Sequence, residues 1–142
     1  MSYGFEGVDL RRRPEEYRVG RGEQGVFHAE PYKSELLPLW GFKDEQTAGR
    51  AAADIYARYV EYRRAGDFVG MDVARKFLQM GYTRSRRYAK YVGGKKSRPR
   101  EEEDTQKARA AGSFREKLDQ VKADPEYQRL KERHRERHER SD

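Results

Sequence analysis

The sequence predicts a mostly helical α+β fold, with a short N-terminal antiparallel hairpin, a three-helix body and a C-terminal helical arm. Three observations carry this expectation. Apolar residues recur at helical spacing from Ala48 to Val92. Two short β-capable runs flank a glycine-rich loop near the N-terminus. Apolar content then falls away, with 40 of 49 hydrophobic residues in 1–100 and only nine in 101–142.

The hairpin strands are read at Tyr17-Arg18-Val19 and Val26-Phe27-His28-Ala29, joined by Gly20-Arg21-Gly22-Glu23-Gln24-Gly25. Pro31, Pro38 and Gly41 keep the next stretch extended or turning, with Trp40 and Phe42 as its buried anchors. Asp44 is placed to cap a first helix whose Ala48, Ala51, Ala52, Ile55, Tyr56, Tyr59 and Val60 form one stripe. Ala65-Gly66 ends it and Asp67 caps a second, in which Val69, Val73, Phe77 and Met80 share a face and Gly81 is the stop. A third, short helix runs from Thr83 to Tyr91 or Val92, where Gly93-Gly94 halt it. Residues 1–92 therefore read as the folded body, 93–112 as a charged linker and 113–140 as the arm. In the arm, Ser113 and Glu116 match a capping box ahead of Phe114, Leu118 and Val121. Asp124-Pro125 opens a further helix carrying Tyr127 and Leu130.

Charge is the most informative feature. The chain holds 32 Lys+Arg against 25 Asp+Glu, a net +7. Residues 1–83 balance at 13 of each sign, and 101–142 hold 11 basic and 12 acidic residues. The whole excess lies in 84–100, which carries Arg84, Arg86, Arg87, Lys90, Lys95, Lys96, Arg98 and Arg100 with no acid. Arg86, Arg87 and Lys90 share one helical face with Thr83. A basic face followed by a basic tail predicts a phosphate-binding surface for DNA or RNA, with weak sequence preference because nothing is placed to read base edges. Tyr82, beside these cations, is the aromatic most suited to stack on a base. The run Glu101-Glu102-Glu103-Asp104 is placed to fold back on the stripe as an internal competitor.

Other motifs read as structural. Gly20-x-Gly22-x-x-Gly25 is followed by Val26-Phe27-His28 and not by a helix, so it is a turn and not a dinucleotide loop. The residues around Gly81 fit a helix-turn-helix poorly, with Phe77 and Arg87 at positions that ask for small and apolar side chains. His134 and His138 have zinc-ligand spacing but sit in a crowd of cations without a clear third ligand, so they read as a solvated face. His28, with Glu30, Lys33 and Glu35, is the place for the second alternative, an enzyme of unrecognised type, yet no nucleophile or paired-carboxylate motif accompanies it. No catalytic residue, metal or cofactor is expected. The chain has no cysteine, which excludes disulfides and thiolate chemistry. No apolar run reaches the length of a membrane span or a secretory signal, so a soluble, cytoplasmic protein without a membrane partner is expected.

The runs YRVGRGEQGV (17–26), EPYKSE (30–35) and DFVGMDVARKFLQMGYTRSRRYA (67–89), with DPEY and LKE near the end, resemble an uncharacterised bacterial and phage family, a domain of unknown function. The resemblance spans most of the chain and implies a folded domain, with no activity or site attached. The expectation is thus non-enzymatic nucleic-acid binding. The main alternative is a protein-interaction or assembly factor, whose arm presents Phe114, Leu118, Val121, Tyr127 and Leu130 to a partner or to a second copy.

Overall fold

The computed structural model describes residues 7–20 and 24–138. Its α-helices are α1 (Tyr32–Leu36), α2 (Glu45–Arg64), α3 (Phe68–Lys90), α4 (Thr105–Ala123) and α5 (Pro125–His138). Helices α2, α3 and α4 pack on one another pairwise, α5 folds back over α3 and α4, and the N-terminal segment with α1 closes the remaining side. The core is built from alanines and aromatics more than from aliphatic chains. Tyr17, Tyr32, Tyr59, Phe77 and Phe114 are its largest fully buried residues.

Aspartates start the four long helices. Asp44 accepts from the Thr47 amide at 2.7 Å, Asp67 from Gly70 at 3.1 Å and Asp104 from Lys107 at 3.1 Å. Asp124 accepts from the Glu126 amide at 3.0 Å, with Pro125 at the first helical position. Each cap satisfies an amide that has no partner inside its helix and stabilises the start by about 1 kcal/mol. Three of these starts, and the break at Asp124-Pro125, follow the sequence reading. The fourth, Asp104, replaces the expected start at Ser113. Ser113 lies within α4, its hydroxyl turned back to the Arg109 carbonyl.

The α+β expectation is corrected. Among the described residues there is no strand, only an isolated antiparallel bridge between Tyr91 and Pro99. The hairpin is absent because its two runs serve as anchors for the helices. Val26 and Phe27 lie in a 3-10 turn, Gln24–His28, with Val26 buried. Tyr17 is buried too, and its carbonyl faces Nε2 of His134 at 2.6 Å. A partner strand would have used that carbonyl. Loop residues 21–23, including Gly22, lie outside the described residues.

The second and third predicted helices are one helix, α3, which runs through Gly81 without interruption. Glycine here makes room and does not break the helix. A Cβ on Gly81 would lie 2.4 Å from the Phe114 ring of α4, and one on Gly70 would lie 2.6 Å from the Tyr62 ring of α2. Both rings therefore press on bare α3 backbone. Gly81, Ser85 and Ala89 recur every four residues and all are buried, so a small-residue groove extends along this face. Trp40 is half-buried on another side, where its indole donates to the Phe77 carbonyl at 3.0 Å and its ring meets Phe42 edge-on.

Carboxylates and tyrosines hold the layers together. Asp72 of α3 is fully buried and accepts from the hydroxyls of Tyr17 (2.5 Å) and Tyr127 (2.6 Å) and from Nε of Arg75 (3.0 Å). Glu35 accepts from Tyr62 (2.7 Å), Arg58 (2.8 Å) and Arg11 (2.9 Å). Asp67 accepts from Tyr32 and Asp124 from Tyr59. Burial pushes the Asp72 carboxyl up, but Arg75, Lys76 and the two hydroxyls outweigh it and hold it below the ordinary aspartate range. Burial followed by the adjoining carboxylates raises Tyr17, Tyr32, Tyr59, Tyr62 and Tyr127 above the ordinary tyrosine value.

Two predictions follow from this packing. Gly81→Ala is expected to cost about 1–3 kcal/mol by driving a methyl into the Phe114 ring, read as a lowered midpoint in urea. Adding Phe114→Leu should restore part of the loss; an unchanged midpoint in the single variant would refute the close contact. The second concerns pH. Carboxyls lowered by folding stabilise above their unfolded pKa of about 4, and that stability is lost as pH falls through the folded values. Tyrosines raised by folding stabilise below about 10, and that stability is lost as pH rises through their folded values. Tyrosinate absorbance is therefore expected to show five of the ten tyrosines ionising only together with loss of helical circular dichroism. Smooth ionisation of all ten while the helices persist is the contrary result.

Candidate nucleic-acid interface

The basic segment is organised around the C-terminus of α3. The last four carbonyls of a helix lack intrahelical partners, and here the chain returns to satisfy all four. Arg87 O accepts from the Tyr91 amide (3.0 Å), and Tyr88 O from Nε of Arg100 (3.1 Å). Ala89 O accepts from the Asp104 amide and Lys90 O from the Arg100 amide, each at 2.9 Å. Gly93 and Gly94 turn the chain at φ of 60° and 72°, where a side chain would be strained, and the Tyr88 ring covers Gly94. The Arg98 amide then donates to the Lys95 carbonyl at 2.8 Å, closing a turn. Residues 91–104 thus form an ordered cap on α3, and positive charge beside a helix C-terminus is favourable in itself.

The eight cations divide within this frame. Arg84 lies over the Trp40 ring at 5.2 Å and also faces Phe27, against the body. Arg86 pairs with Glu103 at 2.6 Å, so one acid of the 101–104 run does return to the basic stripe. Asp104 of the same run caps α4. Arg87 donates from Nε to the Gly94 carbonyl at 2.6 Å, while Arg100 holds Tyr88 O and lies 3.9 Å from Asp104. Lys90, Lys95, Lys96 and Arg98 are exposed and make no ion pair among the described residues. Tyr82 is half-buried and its hydroxyl accepts from Arg115 at 3.1 Å, with that guanidinium also 5.4 Å above its ring.

The remaining candidates are placed as follows. Phe114, Leu118, Val121 and Tyr127 are buried and Leu130 partly so, all packed into the core of the same chain. Glu30 accepts from Ser34 and lies 3.7 Å from Lys33, whereas Glu35 turns to Arg58 and Tyr62 of α2. Neither the cavity beside Arg11 and His134 nor the one beside Arg75 and Lys131 has His28, Glu30, Lys33 or Glu35 in its walls. His134 is buried, not solvated, with its ring against Tyr17 and Phe68. No group of three metal-ligating side chains exists among the described residues. No helix there is long and apolar enough to cross a membrane.

A linear charge count misses a second basic cluster. Arg75, Lys122, Lys131 and Arg135 come together from three helices, but in sequence each has acids nearby that cancel it. The only sequence signal is the i, i+4 spacing of Lys131 and Arg135.

The α3 cap yields a prediction. Arg100→Ala removes the donor to Tyr88 O and is expected to cost about 1 kcal/mol. Amide exchange should quicken at Val92 and Asp104 while α2 stays protected. Unchanged exchange at those two amides would show that Arg100 does not hold the loop.

No curated protein and no solved structure matches this chain. The family described as Domain of unknown function (DUF4385) matches residues 1–137, and the chain belongs to that family.

Proposed function

We propose that this chain is a cytoplasmic, non-enzymatic protein of bacterial or phage origin that binds DNA or RNA through the capped end of α3. The observation that carries the reading is the set Lys90, Lys95, Lys96 and Arg98, four exposed cations at the end of α3 and on the turn that follows, with no acid paired to them among the described residues. Ordering matters because a preformed loop loses little conformational entropy when phosphates engage it. Arg87, whose Nε is engaged with the loop backbone, holds this surface in shape. Arg86 is held by Glu103, so the polymer and that carboxylate compete for one guanidinium. Tyr82 and the fixed cations Arg84 and Arg100 frame the surface. Contacts of this kind position a backbone and carry little sequence information.

Fluorescence anisotropy with short single- and double-stranded DNA and RNA across a salt series tests the reading. Log K is expected to fall with log salt at a slope of roughly -3 to -4, as neutralisation of about four phosphates requires. Replacing Lys90, Lys95, Lys96 and Arg98 by Gln should abolish binding with helical content intact, and Glu103→Gln should tighten it about threefold or more. The absence of binding to every polymer at low salt, or full binding by the quadruple variant, would sink the proposal.

A further inference from the structure

Away from the α3 cap, we propose that the cavity between α3, the end of α4 and α5 is a binding pocket for a small diphosphate-bearing ligand. This rests on different residues from the nucleic-acid reading and stands or falls separately. The cavity measures about 500 Å³ and has Val19-Gly20 on its N-terminal side. Its cations come from three elements: Arg75 of α3, Lys122 of α4, and Lys131 and Arg135 of α5. Glu132 is the one carboxylate in the wall.

The fold brings these groups together and holds them. The break at Asp124-Pro125 turns α5 back so that its basic face meets the last turn of α4. Gln128 secures the corner, its amide donating to the Lys122 carbonyl at 2.6 Å. Lys131 and Arg135 lie one turn apart on the same face as Gln128. Arg75 is fixed from behind, because Nε donates to Asp72, and Asp72 is itself locked by Tyr17 and Tyr127. A guanidinium held this way needs no further ordering to meet an anion.

Many cations of this chain are answered by an acid close in sequence, as Arg75 is by Asp72. Arg13, Arg58, Arg115 and Arg129 each pair with a carboxylate three or four residues away. Lys122, Lys131 and Arg135 make no ion pair among the described residues. Burial, then the proximity of Arg135, Arg75 and Lys122, holds the Lys131 ammonium below the ordinary lysine value, with Asp72 opposing. Four cations against Glu132 in the wall and Asp72 behind Arg75 leave a local positive excess that an arriving anion offsets. A single phosphate has an oxygen for each of the four cations but fills only a small part of a cavity this size. A diphosphate suits both the charge and the volume, and Val19 and Tyr127 offer an apolar flank for whatever the diphosphate carries.

The test is calorimetric titration of the full chain with inorganic pyrophosphate at fixed ionic strength, with ¹⁵N NMR to locate the contact. Saturable binding is expected, with shifts at Arg75, Gln128 and Lys131. Lys131→Gln with Arg135→Gln should weaken it at least about tenfold, and Lys131→Arg alone should largely retain it. Thermal melts keep loss of binding distinct from loss of fold, and Lys122→Gln provides an independent variant should the double substitution unfold. Lys95→Gln with Lys96→Gln should leave pyrophosphate affinity unchanged, which separates this pocket from the α3 cap. Adenosine diphosphate binding tighter than pyrophosphate, with added shifts at Val19 and Tyr127, would assign a nucleotide; equal affinity would assign the diphosphate alone. Unsaturable binding, or equal affinity in the double variant, would overturn the pocket. A single-stranded oligonucleotide that outcompetes pyrophosphate at these residues would overturn the small-ligand assignment.

Discussion

The Asp72 carboxylate, fully buried in the middle of α3, is the constraint on which the rest of the structure depends. A buried charge is costly unless its hydrogen-bonding capacity is filled and an opposite charge lies close. Asp72 meets both conditions only when three separate parts of the chain arrive together. Tyr17 comes from the N-terminal segment, Tyr127 from α5 and Arg75 from α3 itself. Lys76 lies near as well, its ammonium 5.3 Å from the Tyr17 ring centre. Hydrophobic burial alone would let these elements slide past one another. A carboxylate with two short hydroxyl contacts does not, because misplacing either tyrosine leaves a charged acceptor unsatisfied in a low-dielectric interior.

The same device recurs at the edges of the core. Tyr32 on Asp67, Tyr62 on Glu35 and Tyr59 on Asp124 each join a buried ring to an acid at a helix start or on a neighbouring element. Two of these acids, Asp67 and Asp124, also cap helices, so one side chain sets both where a helix begins and what it packs against. This explains how a chain with 35% hydrophobic and 40% charged residues builds a core at all. Tyrosine supplies a large apolar ring whose polar end must be answered, and this sequence answers it with carboxylates. Alanine and glycine then let the helices approach closely enough for the rings to interlock, as Phe114 does over Gly81.

Positive charge has two relations to this frame. At the end of α3 it is part of the architecture: Arg87 and Arg100 bond backbone carbonyls, and the cations as a group offset the negative end of the helix. Lys90, Lys95, Lys96 and Arg98 stand at that helix end and on the ordered loop with no acid paired to them among the described residues. In the α3–α4–α5 pocket, by contrast, Arg75 extends outward from the Asp72 network, so the interaction that fixes the fold also fixes a wall of the cavity. A ligand there would sense the same geometry that holds the N-terminal segment in place.

Local chemistry determined much of this protein. The helix starts at Asp44 and Asp67, the stop at Ala65-Gly66, the break at Asp124-Pro125 and the stripe of α2 all follow from rules acting within one or two helical turns, and the structure has them. The lone basic segment was equally legible, because its eight cations are contiguous. What the sequence left undecided depended on partners far along the chain. Gly81 reads as a stop until Phe114 is seen lying on it, and 17–19 reads as a strand until Tyr17 is seen reaching Asp72 and His134. The basic pocket is invisible for the same reason, since nearby acids cancel each of its cations in sequence while the fold brings the cations together. Local rules set where helices begin and end; only tertiary contact decided which glycine was a notch, which tyrosine was a tie, and which charges would meet.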